Sequence, residues 1–387
     1  NPGSMAEPTT RALRTDTMVL SMGPQHPSTH GVLRLELKTD GEVVQDAIPH
    51  IGYLHRNFEK HAENLTYPQI IPYTDRMDYI AAMNNELGFV LAVEELLARG
   101  PRPVEVPEKA EYIRVIVCEL NRIASHLLAF GAYGLDIGAF TPFLYAFRDR
   151  ETILELFEEL SGARLLYNYI RVGGVARDFP GGFHHKLRSF LGYFGPQIDV
   201  YNTLLSNNKI FLERTAGIGV LGVDECIQNG WTGPNIRGAG LAWDLRKEEP
   251  YSIYDRFDFA IPVGKNGDCW DRYMVRMDEM RESVKIATQA LDQMEERGLL
   301  EDENFTAKVR GTLRPPAGEI YMRTETPRGD LGYYIHSDGS DRPSRVKVRS
   351  PCFTALSALR KMSRGLLIAD VVAIIGSIDI VMGEIDR

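Results

Sequence analysis

Cysteine is scarce in this chain and never closely paired. Among 387 residues there are four, Cys118, Cys226, Cys269 and Cys352, far apart in sequence and without any Cys-x-x-Cys spacing. That excludes a zinc ribbon and a self-contained iron–sulfur site, and sparse unpaired thiols suit a reducing cytoplasm. Positive charge is in deficit as well. A formal net charge of −9 argues against nucleic acid as a partner, which would require a basic footprint. Long apolar runs are missing too. The most apolar stretch, residues 365–383, is interrupted by Asp370 and Asp379. It is too short and too charged to span a bilayer and reads as a buried core segment, so membrane association is expected only through partners. The N-terminus lacks the apolar core of a signal peptide, and Asn1-Pro2-Gly3-Ser4 before Met5 reads as an expression remnant. No internal repeat or low-complexity segment interrupts the chain.

What is present is ordinary in bulk, 44% hydrophobic and 25% charged, with enough length for two or three subdomains around a large core. The distinctive stretch is Met22-Gly23-Pro24-Gln25-His26-Pro27-Ser28-Thr29-His30-Gly31. Two prolines and two glycines keep it out of a helix. Leu33, Leu35 and Leu37 then alternate with Arg34, Glu36 and Lys38, the pattern of a half-buried strand. Asp40-Gly41 supplies a tight turn into a second strand at Val43-Val44. A histidine-bearing loop is thus held by the start of a hairpin. Its imidazoles either cap backbone groups or face a pocket. Five of the nine histidines (His26, His30, His50, His55, His61) lie in the first 61 residues. Pro27 and Gly31 oppose the helix that would align His26 with His30, and no His-Glu-x-x-His pattern follows, so no protein-bound metal is expected.

Residues 68–72 read as a linker. Thr74 can cap a helix over 75–98 whose first turn, with Asp75, Arg76, Asp78 and Tyr79, either lines a site or serves the helix dipole. A core helix over 109–130 is followed by a glycine-rich break at 131–138. Asp136 lies in that break, as a turn cap or as a carboxylate orienting a His or Arg. Further helices are expected at 141–161, with Thr141 as its cap, and at 183–205. Another is expected at 268–297, with a mixed polar face suited to a surface or a partner. Residues 217–240 look irregular, and 319–349 form an antiparallel sheet. The fold class is α+β and mainly helical. A tail (1–17) and a β-containing region with the histidine loop (18–70) precede a helical core (71–300). A C-terminal β region with a buried terminal helix (301–387) completes it.

Several long motifs occur together: residues 23–34, Pro49-His50-Ile51-Gly52-Tyr53-Leu54-His55-Arg56, Asp75-Arg76-Met77-Asp78-Tyr79, Leu135-Asp136-Ile137-Gly138-Ala139, Arg171-Val172-Gly173-Gly174, and the ending from Ala369 through Asp386-Arg387. In this order the chain, from Met18 to Arg387, resembles the family of the 49 kDa subunit of respiratory complex I. That family in turn resembles the large subunit of nickel–iron hydrogenases, which implies a hydrogenase-like fold. The hydrogenases hold their metals with two Cys-x-x-Cys pairs. Here the matching positions are Asp78 and Ala81, then Val381 and Glu384. Without thiolates, such a centre cannot be held.

The resemblance implies that the emptied metal site became a quinone headgroup pocket. His30 and Tyr79 would contact the quinone oxygens and Asp136 would pair with His30; it gives His26 no role. Two hydrogen-bond donors that can release protons suit quinone reduction, which consumes two electrons and two protons, and a carboxylate beside His30 favours its charged form. Quinone would be the substrate and this chain would bind no metal. Electrons would come from an iron–sulfur cluster in a neighbouring small subunit, near Arg56 and Arg76, with NADH oxidised by another subunit. The implied partners are that small subunit, a homologue of the complex's C subunit, and the membrane subunit at the quinone channel. The implied place is peripheral, on the cytoplasmic side of the inner membrane, coupled to proton translocation. A ferredoxin- or F420-dependent input module would use the same pocket. One departure stands out. Several family members carry a histidine three residues before Tyr169-Ile170-Arg171; here that residue is Leu166.

Overall fold

The computed structural model of the chain describes residues 17–25, 30–101, 103–309 and 311–387; His26 and the three residues after it lie outside them. Strands β1 (Thr17–Met22), β2 (Arg34–Asp40) and β3 (Val43–His50) form an antiparallel sheet in that order. Leu33, Leu35 and Leu37 are buried, as their alternation predicts. Strand β1 has no counterpart in the sequence reading and changes the meaning of the loop. Met22 pairs with Leu35, so the loop that carries His30 joins two hydrogen-bonded strands and is pinned at both ends.

The helices that follow are α1 (Phe58–Ala62), α2 (Tyr67–Thr74), α3 (Ala82–Ala98), α4 (Glu108–Asp136), α5 (Phe140–Ser161) and α6 (Phe183–Tyr201), with a two-stranded ribbon, β4 (Ile170–Arg171) and β5 (Gly174–Val175), ahead of α6. Four expectations need correction. The linker at 68–72 is helix α2: the Thr66 N–H donates to Gln69 Oε1 at 3.0 Å in a capping box, and Pro68 falls in the first turn, where no N–H is needed. The helix expected from residue 75 begins at Ala82. Asp78 Oδ1 accepts from the Ile80 N–H at 3.2 Å and Asp75 Oδ2 from the Asn168 N–H at 3.0 Å; such local bonds compete with a helical ladder. Helix α4, conversely, runs past its expected end. A methyl on Gly131 would lie 3.1 Å from the Phe143 Cα, and one on Gly134 3.1 Å from the Leu205 side chain. Close packing, which a methyl would crowd, outweighs glycine's low helix propensity there. Asp136 therefore ends a helix instead of capping a turn. Helix α5 also begins ahead of Thr141, so that residue is not its cap.

Short helices α7 (Lys209–Thr215), α8 (Val223–Gln228), α9 (Gly233–Gly238) and α10 (Leu245–Glu248) lead to α11 (Cys269–Glu296). The polar face of α11 does not look outward. Arg272, Arg276, Glu279 and Ser283 are buried, because their partners come from distant segments: His126 Nε2 lies 2.8 Å from Glu279 Oε2, and Arg237 pairs with Glu279 Oε1. Strands β6 (Gly318–Thr326), β7 (Gly329–Ser337) and β8 (Pro343–Arg349) form the expected antiparallel sheet, and α12 (Pro351–Ser357), α13 (Leu359–Ser363), α14 (Ile368–Ile378) and α15 (Met382–Asp386) close the chain. Helix α4 is long and apolar enough to cross a bilayer, yet it is buried within the fold.

Two apolar clusters result. The larger one gathers α3 to α6 and α11; the smaller one joins the N-terminal sheet to α12–α15. The irregular segment 75–81 crosses between them, with Met77 in the first cluster, and Ile80 and Tyr79 against the second.

Candidate functional site

The site lies at that seam. His30 stands where the loop rejoins β2, in the left-handed region at φ 48. An ordinary side chain is strained there, and the geometry turns the imidazole toward the end of α4. Its Nε2 lies 3.0 Å from Asp136 Oδ2, with 11% and 8% of the two side chains exposed. Asp136 occupies the last turn of α4, where the helix dipole already disfavours a negative charge. Helix end and carboxylate both present negative potential to the imidazole.

Tyr79 sits in the break before α3, half-buried. Burial first, then the neighbouring Asp78 carboxylate, pushes its phenol above the usual tyrosine range; Arg328 and Arg56 pull the other way. The break is what frees this side chain. On an unbroken helix the Asp78 carboxylate would not be bound to the Ile80 N–H, and Tyr79 would lie on a regular face.

Between the histidine loop and the break runs the C-terminal segment. A methyl on Gly31 would meet Met382 at 3.4 Å, and one on Gly383 would meet the Met77 carbonyl oxygen at 2.6 Å and the Arg56 guanidinium at 3.4 Å. The C-terminal segment is thus a floor against which the histidine loop packs at Gly31 and the break packs at Met77. Asp386 anchors the third wall: its Oδ1 and Oδ2 accept from the Gly52 and Leu54 N–H groups at 2.8 and 2.7 Å, and its carbonyl meets His55 Nδ1 at 2.7 Å. That clamp places Arg56, whose guanidinium donates to the Arg76 carbonyl, while Arg76 donates to that of Pro72. The two arginines adjoin one another on the exposed rim, not in the interior.

Arg328 and Cys352 beneath this floor, and Asp379 and Glu384 within it, were not singled out as site residues. Arg328, in the turn between β6 and β7, lies with its Nε 3.4 Å from Asp78 Oδ2 and its Nη2 3.7 Å from Asp379 Oδ1, and donates to Ser125. Burial pushes the Asp78 carboxyl up against the pull of Arg328. Burial opposes ionisation of Asp379 also, but Arg328, Arg276, His126 and His30 outweigh it and hold that carboxyl low. Glu384 is pushed up to about 8 by burial and by Asp78. Cys352 is its neighbour, and its sulfur accepts from the Val381 N–H at 3.5 Å. The sequence signals for this nest were Asp379, an acid inside an otherwise apolar run, and Asp78 and Glu384, which stand at two of the positions matched by motif to metal-binding cysteines. Among the described residues no group of three or more His, Cys, Asp or Glu side chains is arranged to hold a metal ion.

Comparison with known proteins now decides the family. The model of the respiratory-chain NADH dehydrogenase 49 kDa subunit family matches residues 136–387. The D subunit of NADH-quinone oxidoreductase from Chlorobaculum tepidum is 56% identical over 383 residues, covering 97% of this chain and 93% of the relative. The protein of the same name from Chlorobium luteolum is 56% identical over 381 residues, covering 97% and 94%. The chain belongs to this family. The matched region of the family model begins at Asp136, whereas the similarity to the two relatives spans nearly the whole chain, so the histidine loop and Tyr79 fall within shared sequence through the relatives alone.

Proposed function

We propose that this chain is the quinone-site subunit of a proton-pumping NADH–quinone oxidoreductase and that the pocket between the histidine loop, the 75–81 break and the C-terminal segment receives the quinone headgroup. The single observation that carries the reading is the His30–Asp136 pair at 3.0 Å, held at the same seam as Tyr79. An imidazolium and a phenol can hydrogen-bond the two quinone oxygens and give up protons as negative charge builds on them. Two electrons come from an iron–sulfur cluster of a neighbouring small subunit, docked at the Arg56–Arg76 rim. This chain cannot house that cluster itself, since its four cysteines are each buried and unpaired. The convergence of Asp78 and Glu384 beside Cys352 supports the reading that this pocket descends from a metal site on a hydrogenase-like fold, its thiolates replaced.

When His30 releases its proton, Asp136 becomes a partly buried anion at the wrong end of a helix dipole, without its cation. Relief comes by moving that charge, or charges next to it, toward the membrane subunit, which is how headgroup chemistry would become force for pumping. The homologue of the complex's C subunit and the membrane subunit complete the pocket, and the chain is peripheral, on the cytoplasmic side. The test is Tyr79→Phe in the assembled enzyme: quinone reduction at the wild-type rate would remove Tyr79 from the pocket.

A further inference from the structure

The nest under the pocket is built of charges that are close but not bonded. The Arg328–Asp78 and Arg328–Asp379 approaches of 3.4 and 3.7 Å, and that of Arg276 Nε to Asp379 Oδ2 at 3.6 Å, are long for hydrogen bonds. Asp78 Oδ2, Arg328 Nε and Nη2, Arg276 Nε and Asp379 Oδ2 have no hydrogen-bond partner among the described residues, and neither does either oxygen of Glu384. All five side chains are buried, Glu384 completely. Seven unpartnered polar atoms in one enclosed cluster are not tolerated dry; they order water.

Within that cluster Glu384 differs from the other acids. Asp78 has the Ile80 N–H and Arg328, and Asp379 has two guanidiniums. Glu384 has neither an N–H nor a guanidinium bound to it; the donor that adjoins it is the Cys352 thiol, a weak one. The groups facing it are Asp78, Cys352 of α12, Arg328, Arg349 of β8 and the phenol of Tyr333 on β7. Cys352 also lies within electrostatic reach of Tyr79. A carboxyl so placed is most stable carrying its proton, and burial with Asp78 beside it accords with a value of about 8.

Resting on the quinone-pocket reading, we propose that Glu384 is the proton store of the site: it returns a proton to Tyr79 after Tyr79 has given its own to the quinone, through water ordered against Asp78, Arg328 and Asp379. The balance is complete. The quinone takes two electrons from the partner subunit's iron–sulfur cluster. One O–H bond breaks at Tyr79 and one N–H bond at His30, and two O–H bonds form on the quinol. The Glu384 O–H then breaks as the Tyr79 O–H re-forms. Glu384 is left as carboxylate and His30 as neutral imidazole, and both are recharged from solvent between turnovers. Its store is full below its own pKa and empty above it, so turnover falls as pH rises through about 8.

The experiment uses the assembled enzyme carrying Glu384→Gln or Glu384→Asp. Infrared spectra of the oxidised, quinone-free wild type should show a protonated carboxylic acid band that titrates away near pH 8 and is absent in Glu384→Gln. With a short-chain quinone, Glu384→Gln should lower kcat about tenfold or more with KM unchanged, and the fall in rate above pH 8 should vanish; Glu384→Asp should restore part of kcat with that fall displaced in pH. A band that persists in Glu384→Gln, or a wild-type rate with the same alkaline fall, overturns the proposal. Should Glu384→Gln not assemble, Glu384→Asp decides: an unmoved alkaline fall overturns it. Tyr79→Phe measured alongside separates the two readings. If Tyr79→Phe is slow while Glu384→Gln is wild type, the proton store alone fails; if Tyr79→Phe is itself wild type, the pocket fails.

Discussion

Replacing Asp136 with asparagine separates what this carboxylate does for the fold from what it does for the chemistry. The Asp136→Asn change would keep the size and one acceptor for the His30 N–H, and lose only the charge. At 3.0 Å and an effective dielectric of about 20, the gross attraction between imidazolium and carboxylate is on the order of 5 kcal/mol. Desolvation of two nearly buried groups offsets most of that, and hydrogen bonds to charged groups contribute a net of about 1.5–3 kcal/mol against about 0.5–1.5 for neutral ones. The variant should thus lose about 1–2 kcal/mol of support for the charged histidine, a roughly 5- to 30-fold slowing of any step that needs it. Stability should fall by no more than about 1–2 kcal/mol, and by less where the helix dipole gives some of it back. Asp136 ends α4, where the dipole penalises an anion by about 0.3–1 kcal/mol, so removing the charge relieves a cost. The assay is quinone reduction in proteoliposomes, with protons pumped per NADH, alongside thermal melting. Slower turnover with reduced pumping and a melting temperature unchanged or only slightly lower is the expected result. Unchanged turnover and pumping with a lower melting temperature would show that Asp136 merely holds the helix end.

Tyr79→Phe should assemble and keep NADH oxidation by ferricyanide, which takes electrons upstream, while quinone reduction falls about 100-fold or more; steady-state kinetics with both acceptors check this. Arg328→Met should cost about 3–5 kcal/mol, because Asp78 and Asp379 are left buried without their shared cation; a melting temperature within a degree of wild type would contradict it. Asp75, pushed up to about 6 by burial, binds its proton more tightly folded than unfolded, so its ionisation weakens the fold as pH rises from the ordinary carboxylate range through about 6. Asp75→Asn should therefore stabilise the chain at neutral pH by up to about 3 kcal/mol and leave it unchanged near pH 4, read as the difference in melting temperature across pH. Elemental analysis of the purified chain should find no stoichiometric nickel, iron or zinc, given the missing thiolates at Asp78, Ala81, Val381 and Glu384.

Periodicity was readable wherever one face of an element meets the core. Leu33, Leu35 and Leu37 gave β2, and the alternation over 319–349 gave the C-terminal sheet. It failed where a side chain or a distant element overrules local preference. The break at 75–81 exists because Asp75 and Asp78 bind backbone N–H groups, and nothing in the local pattern separates that from two acids serving a helix dipole. Gly131 and Gly134 looked like a helix end and are instead close contacts inside α4, a distinction that requires knowing that α5 and Leu205 pack there. The motifs of the resemblance brought His30, Tyr79 and Asp136 to notice, and the fold puts His30 and Asp136 in contact.

The buried charges were the least legible, and for one reason. Read along α11 alone, Arg272, Arg276, Glu279 and Glu282 make a solvated face. In the fold Arg276 meets Asn235 and Asp379, and Glu279 meets His126 and Arg237, each partner in a different segment of the chain. Pairing across such separations leaves no period in any one segment. The one local trace is a charge standing where its neighbours are apolar, as Asp379 does at the end of α14's run. Such a residue either has a partner from elsewhere or would unfold the segment that carries it. Here it has Arg276 and Arg328, and the left-handed backbone at Asp379, φ 50, turns the chain out of α14 toward Val381 and Glu384. The charge that looks misplaced in the sequence is thus where the chain leaves α14 for the segment that underlies the candidate site. The Asp379–Arg328–Asp78 series continues from there to the residue before Tyr79, so the polar groups that connect the two sides of the site are the same ones that hold the C-terminus in place.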